Sequence, residues 1–98
     1  MIRRDGPRIT VSGPVTLANV AAVLEEGRQH LADGAGTVDF GEVTEMDSAA
    51  LALALAWLRE ARAAKREVTF ANLPEALRTL AKLYGVEELL PLSSSPTR

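Results

Sequence analysis

The 98-residue chain has no cysteine, a single histidine and few aromatic residues: one tryptophan, one tyrosine and two phenylalanines. Without cysteine it can form no disulfide, no zinc–cysteine site and no cysteine nucleophile. With His30 as its only histidine, it cannot use a mechanism that needs two. The length fits one small domain and leaves no room for a second core.

A strong excess of positive or negative charge is also missing. Eleven Lys and Arg residues against 13 Asp and Glu residues give a net charge of −2, so the chain lacks the basic footprint of a nucleic-acid-binding protein. Its 47% hydrophobic and 24% charged residues are typical of a globular domain.

Long apolar runs are absent too. The amino terminus over 1–7 is charged and no apolar stretch follows it, so we expect no signal peptide. The longest apolar run, Ala49 to Leu58, is shorter than the roughly 20 residues of a membrane span and predicts a buried helix. We therefore expect an intracellular domain whose membrane contact comes only through a partner.

Strand-like and helix-like periodicities alternate along the chain, which predicts an α/β fold with a mixed, mostly parallel sheet. Gly27 interrupts the first helix and indicates a close packing contact there. The first predicted elements are a hairpin over 2–12 and a helix from Thr16 to Gly34, with Leu17 on the buried face of that helix. A strand over 37–40 and a loop over 41–46 follow, and then a helix from Asp47 or Ser48 to about Lys65. The last predicted elements are a strand over 68–71, a helix capped by Asn72 and ended by Gly85, and one further turn over 87–90.

The helix over 49–58 is apolar on two faces. A helical wheel places Leu51, Leu55 and Leu58 on one stripe, which we expect to face the sheet. A surface helix should be polar on the opposite side. Either other helices cover that side, or its alanines serve only as helix formers, or it is a docking face with Leu53 and Trp57 as partner anchors. The predicted partner-binding residues of this helix are Asp47, Ser48, Ala49, Ala52, Leu53, Ala56 and Trp57.

Ser48 opens this helix, directly after Asp47. Backbone N–H groups and the positive end of the helix dipole favour negative charge there, so a phosphate on Ser48 would be tolerated, although Asp47 would repel it. The alternative is a simple helix cap, in which Asp47 or Ser48 satisfies the first amide groups and does nothing else.

Catalytic and metal-binding interpretations are weak. His30 is expected to be a solvated surface residue. Four carboxylates lie close together before the second long helix, but their spacing in a loop is common by chance, and no glycine-rich phosphate loop is present. We therefore expect no enzyme activity, no metal site and no cofactor. The carboxylates are Asp39, Glu42, Glu45 and Asp47.

The segment Met46 to Leu51 resembles the STAS family, the fold of the anti-sigma factor antagonists, and departs from its motif at Ala50, where that family usually has glycine. The resemblance implies a sheet of about four strands covered by three to four helices. The polar composition of residues 93–98, which include Pro96, predicts a flexible tail after a single domain over 1–92. In the antagonists, the serine that matches Ser48 is phosphorylated by an anti-sigma kinase.

The carboxyl-terminal third is similar to the MlaB branch of this family, the cytosolic STAS subunits of Mla phospholipid ABC transporters. The resemblance implies a non-catalytic cytoplasmic subunit that is peripheral to the inner membrane. It also implies that this subunit binds the transporter ATPase near Ser48 and Tyr84, and that it binds no nucleic acid and has no small-molecule substrate of its own. An antagonist switched by Ser48 and a nucleotide-binding STAS protein stay open as alternatives. The matching segments are Asn72–Leu77, Leu80–Val86 and Leu89–Pro91.

Overall fold

A computed structural model describes residues 1–91 of the chain. The predicted tail over 93–98 lies outside these residues, as does residue 92. The elements are β1 (Ile2–Asp5), β2 (Arg8–Val15), α1 (Val20–Ala32), β3 (Thr37–Met46), α2 (Ser48–Ala63), β4 (Thr69–Ala71), α3 (Glu75–Leu83) and a short 3₁₀ helix (Glu87–Leu89).

The four strands form one mixed sheet in the order β1-β2-β3-β4. The hairpin of β1 and β2 is antiparallel, whereas β2, β3 and β4 are parallel, which confirms the predicted α/β fold. The crossovers from β2 to β3 and from β3 to β4 advance in the same direction across the sheet. Right-handed crossovers of this kind place their helices on the same side, so α1 and α2 lie against one sheet face. The apolar residues of that face are buried: Ile9, Val11, Val38, Phe40 and Phe70.

Strand β3 is longer than the sequence pattern predicts. The segment over 41–46 was expected to be a loop because it is mostly polar, but it continues the strand as far as Met46. Its pairing with β2 persists, with Ser12 opposite Glu42 and Val15 opposite Met46, through two register shifts. The prediction was wrong because this half of β3 extends beyond β4 and buries little apolar surface.

Helix α1 begins later than predicted. Thr16 is not its N-cap, because the cap is Asn19 and the helix starts at Val20. The carbonyl of Thr16 instead accepts hydrogen bonds from the N–H groups of Asn19 and Val20 in a turn before the helix. Leu17, predicted to face the core, is 79% exposed.

The start of α3 also differs. Its N-cap is Pro74, which makes no side-chain capping bond. Asn72, the predicted cap, has a positive φ of 54° and donates from Nδ2 to the carboxylate of Asp39 at 3.1 Å. Asn72 therefore ties the loop after β4 to the neighbouring strand β3 rather than capping the helix.

Helix α2 is packed on more than one side, and this overturns part of the predicted docking face. Trp57 is 0% and Leu53 1% exposed, and Ala49 is buried as well. Trp57 lies against Gly27 of α1, and its indole Nε1 donates to the carbonyl of Leu24 at 3.1 Å. Trp57 also packs edge-on against Phe40 of β3, with the ring centroids 6.5 Å apart, so the face of α2 that carries Trp57 is turned towards the sheet and α1, whereas Leu55, predicted to face the sheet, is only half-buried. Trp57, Leu53 and Ala49 therefore belong to the core. The close contact predicted at Gly27 is confirmed.

Within residues 1–91, no helix combines the length and the apolarity needed to cross a membrane.

Candidate partner-binding surface

Asp47 fixes the start of α2 and joins it to a second element. Its Oδ1 accepts from the N–H of Ala49 at 2.8 Å, which caps the helix. Its Oδ2 accepts from the N–H of Leu17 at 3.0 Å, in the turn between β2 and α1. One carboxylate therefore satisfies amide groups of two segments and holds them side by side, in addition to the simple cap that the sequence suggests.

Ser48 is the first residue of α2 and its side chain is exposed. It follows an extended Asp47, so it lies where the positive end of the helix dipole meets solvent. Ala52, one turn further along the same face, is exposed too. The hydroxyl and the small side chain leave this end of the helix open to close approach by another protein.

Leu17 was missed as a functional candidate, because it was assigned to a buried helix face. It has the largest exposed fraction among the large apolar residues that the structure describes. Asn19 occupies the N-cap position of α1 without a side-chain capping bond, and an asparagine directly before the apolar pattern of Val20 is the signal that would have placed Leu17 in the preceding turn. We call Leu17, Asp47, Ser48 and Ala52 the α2 N-terminal surface.

The other predicted partner-binding residues lie elsewhere. Ala56 is half-buried, and Ala49, Leu53 and Trp57 are core residues that a partner cannot reach in this fold. Tyr84, at the C-cap of α3, is 58% exposed. Ser48 begins one helix whereas Tyr84 ends another, and no hydrogen bond among the described residues joins the two. Leu83 and Leu89, at the same end of the chain as Tyr84, are exposed as well.

Three of the four carboxylates that precede α2, those of Asp39, Glu42 and Asp47, are engaged with basic or amide groups rather than gathered around a common point. Asp39 pairs with Arg8 and accepts from the backbone N–H of Gly41. Glu42 forms two hydrogen bonds with Arg3, which hold the pKa of Glu42 below its ordinary value. Residues 1–91 contain no group of three or more acidic or histidine side chains able to hold a metal ion.

Known proteins resemble this chain over almost its whole length. The family model described as "Mlab, STAS domain" matches residues 2–91. No curated protein sequence matches the chain significantly.

Two solved structures share the fold. An unphosphorylated anti-sigma factor antagonist, SpoIIAA, is 18% identical with a TM-score of 0.69, over 97% of this chain and 88% of that one. The Bacillus cell fate determinant SpoIIAA in its phosphorylated form is also 18% identical, with a TM-score of 0.66 over 97% and 91% of the two chains.

Proposed function

This chain belongs to the STAS family, in the group described as "Mlab, STAS domain", and from that membership we propose that it is a non-catalytic subunit of an Mla-type ABC phospholipid transporter. In this role it binds the transporter ATPase and supports its activity, in a system that maintains the lipid asymmetry of the outer membrane. It acts on the cytoplasmic side and reaches the inner membrane only through the complex. The match of the family over residues 2–91 carries the proposal.

The α2 N-terminal surface supports a binding role and is our candidate for the ATPase contact. A large apolar side chain, Leu17, is 79% exposed beside a helix end that offers the hydroxyl of Ser48 and the small side chain of Ala52. An exposed apolar anchor next to small residues is suited to burial against a complementary protein surface. Asp47 fixes the turn that carries Leu17, so little ordering remains to be done on binding.

Co-expression with the tagged cognate ATPase tests this role. The native chain should co-purify, and Ser48→Arg should abolish co-purification because the long cationic side chain obstructs the surface. Gln29→Arg is the matched control: it adds the same side chain at an exposed position of α1, outside the α2 N-terminal surface, and should leave co-purification intact. Circular dichroism would establish that both variants fold. Failure of the native chain to co-purify, or undiminished recovery of Ser48→Arg, would contradict the proposal.

The second candidate function is an anti-sigma factor antagonist switched by phosphorylation of Ser48. The exposed hydroxyl of Ser48 at the amino terminus of α2 favours it. A phosphate there would meet backbone N–H groups and the helix dipole, yet would repel the carboxylate of Asp47, whose oxygens already accept from Leu17 and Ala49.

Intact-mass measurement decides this alternative. After incubation with an anti-sigma kinase and ATP, an antagonist gains one phosphate that is absent from Ser48→Ala. A chain whose mass stays unchanged under conditions that modify a known antagonist is not switched in this way.

A further inference from the structure

A cavity of about 210 Å³ lies between α1 and α2, at the end of α2 far from Ser48. Glu60 on its rim is 12 residues beyond Ser48, which corresponds to about 18 Å along the helix axis. The cavity is therefore separate from the α2 N-terminal surface, and the proposed function makes no use of it.

The wall of this cavity is apolar because small side chains meet there. Ala32 of α1 and Ala64 at the C-cap of α2 are exposed at its mouth, Ala61 lines it more deeply, and Trp57 lies beneath it. Trp57 is drawn against α1 by Gly27 and is held by its bond to Leu24, so its ring does not fill the space between the helices. The other apolar residues of the wall are Leu31, Ala35 and Val68.

The charged groups on the rim compensate one another. Arg28 binds both carboxylate oxygens of Glu60, at 2.8 and 2.7 Å. Arg66 donates to the carbonyl of Leu31 at 2.6 Å, and the adjacent Glu67 carries the opposite charge. The rim thus offers two positive and two negative side chains, and an ionic ligand would gain no net attraction from them.

We propose that this cavity is a binding site for a small, neutral, hydrophobic molecule. Apolar cavities of about 150 Å³ in proteins take up benzene, so about 210 Å³ accommodates a ligand of one or two rings. Arg28 and Glu60, which both line the cavity, are held to each other by an ion pair of 2.7 Å and so are not free to pair with a charged ligand. The ligand class follows from the apolar wall, the volume and the balanced rim charges.

Solution NMR of the full-length chain tests the proposal with two probes, indole and cyclohexanol, which separate aromatic from aliphatic ligands. Trp57 is the only tryptophan, so its indole N–H gives one resonance beneath the site. We expect saturable shifts of this resonance, and of the amide resonances of Leu31 and Ala61, with at least one probe.

Ala32→Leu and Ala64→Leu place extra carbon atoms in the cavity from exposed positions that tolerate them. Each should weaken binding by about tenfold or more. Ala63→Leu is the matched control, since Ala63 is exposed next to Ala64 but does not line the cavity. Absence of saturable shifts with both probes would overturn the proposal, and so would equal affinities in Ala63→Leu, Ala32→Leu and Ala64→Leu.

Discussion

The two faces of α2 are built from similar residues but have different surroundings. The face that carries Leu53 and Trp57 is enclosed by the sheet and the neighbouring helices, and Trp57 touches Gly27 so closely that no side chain fits between them. On the opposite face, Ser48 and Ala52 are open to solvent. Alanine and leucine therefore form the core on one face of α2, whereas on the other the small residues at its amino-terminal end leave the surface open to a partner.

Truncating one buried and one exposed leucine, Leu53 and Leu17, should give the largest difference in stability. Leu53→Ala should lower the free energy of unfolding by about 2–5 kcal/mol, because it removes a fully buried side chain. Leu17→Ala should change it by less than about 0.5 kcal/mol, since Leu17 is 79% exposed. Urea unfolding followed by Trp57 fluorescence measures both. Equal losses would show that the two regions are not distinct.

The Gly27–Trp57 contact gives the next largest effect. Helix propensity alone predicts that Gly27→Ala stabilises α1 by about 1 kcal/mol. An added Cβ would, however, lie 2.2 Å from Cζ2 of Trp57, a buried ring that is held in place by its hydrogen bond to the carbonyl of Leu24. We expect a net loss of about 1–3 kcal/mol in the free energy of unfolding.

A double-mutant cycle isolates this contact. Gly27→Ala should destabilise the Trp57→Leu variant less than the native chain, because the smaller side chain relieves the clash. Circular dichroism during urea unfolding reports all four proteins. A stabilising Gly27→Ala, or the same loss in both backgrounds, would contradict the packing described here.

Asp47 joins the open end of α2 to the turn that carries Leu17. Asp47→Ala removes the acceptors for the N–H groups of Ala49 and Leu17 and should cost about 1–2 kcal/mol of stability. Asp47→Asn keeps one carbonyl acceptor and should lose less. In Asp47→Ala, hydrogen exchange at the Leu17 amide should accelerate more than exchange at Phe40. Unchanged exchange at Leu17 would mean that Asp47 does not hold the turn.

The Arg28–Glu60 pair between α1 and α2 should have the smallest effect on stability, because it is solvated. Its hydrogen bonds hold the pKa of Glu60 below the ordinary value. A depressed pKa means that the pair stabilises the fold above the carboxyl's unfolded pKa, and that this contribution disappears as the pH falls through the folded pKa. Carbon-13 NMR titration of Glu60 should show its pKa return towards the ordinary value in Arg28→Gln. No change in that variant would contradict the assignment.

The sequence predicts the order of elements and the boundaries of the apolar helix well, because periodicity and caps are local properties. Asp47 next to Ser48 marks the start of α2, and Gly27 marks the close helix contact. Both are confirmed. The STAS resemblance, read from short motifs, is confirmed over nearly the whole chain.

The surfaces of α2 could not be read in the same way. A helical wheel separates the faces of a helix but does not say which of them packs against the sheet, so Leu53 and Trp57 were expected at a docking face and are buried instead. Leu17 shows the opposite error, since it was expected to be buried and is exposed. Its apolar side chain fitted the helical periodicity of the residues that follow, but the helix begins only at Val20. The second role of Asp47, which is to hold the turn that carries Leu17, depends on a tertiary hydrogen bond between residues 30 positions apart, and no local sequence pattern predicts such a bond.

The proposed binding surface is tested most sharply by the affinity of the purified chain for the Mla-type ATPase that we propose as its partner. Biolayer interferometry would compare Ser48→Arg at the open end of α2 with Gln29→Arg on α1. We predict that Ser48→Arg weakens binding by about a hundredfold or more, as expected when a central contact is lost, while Gln29→Arg binds like the native chain. Equal affinities of the two variants would show that the partner does not bind at the α2 N-terminal surface.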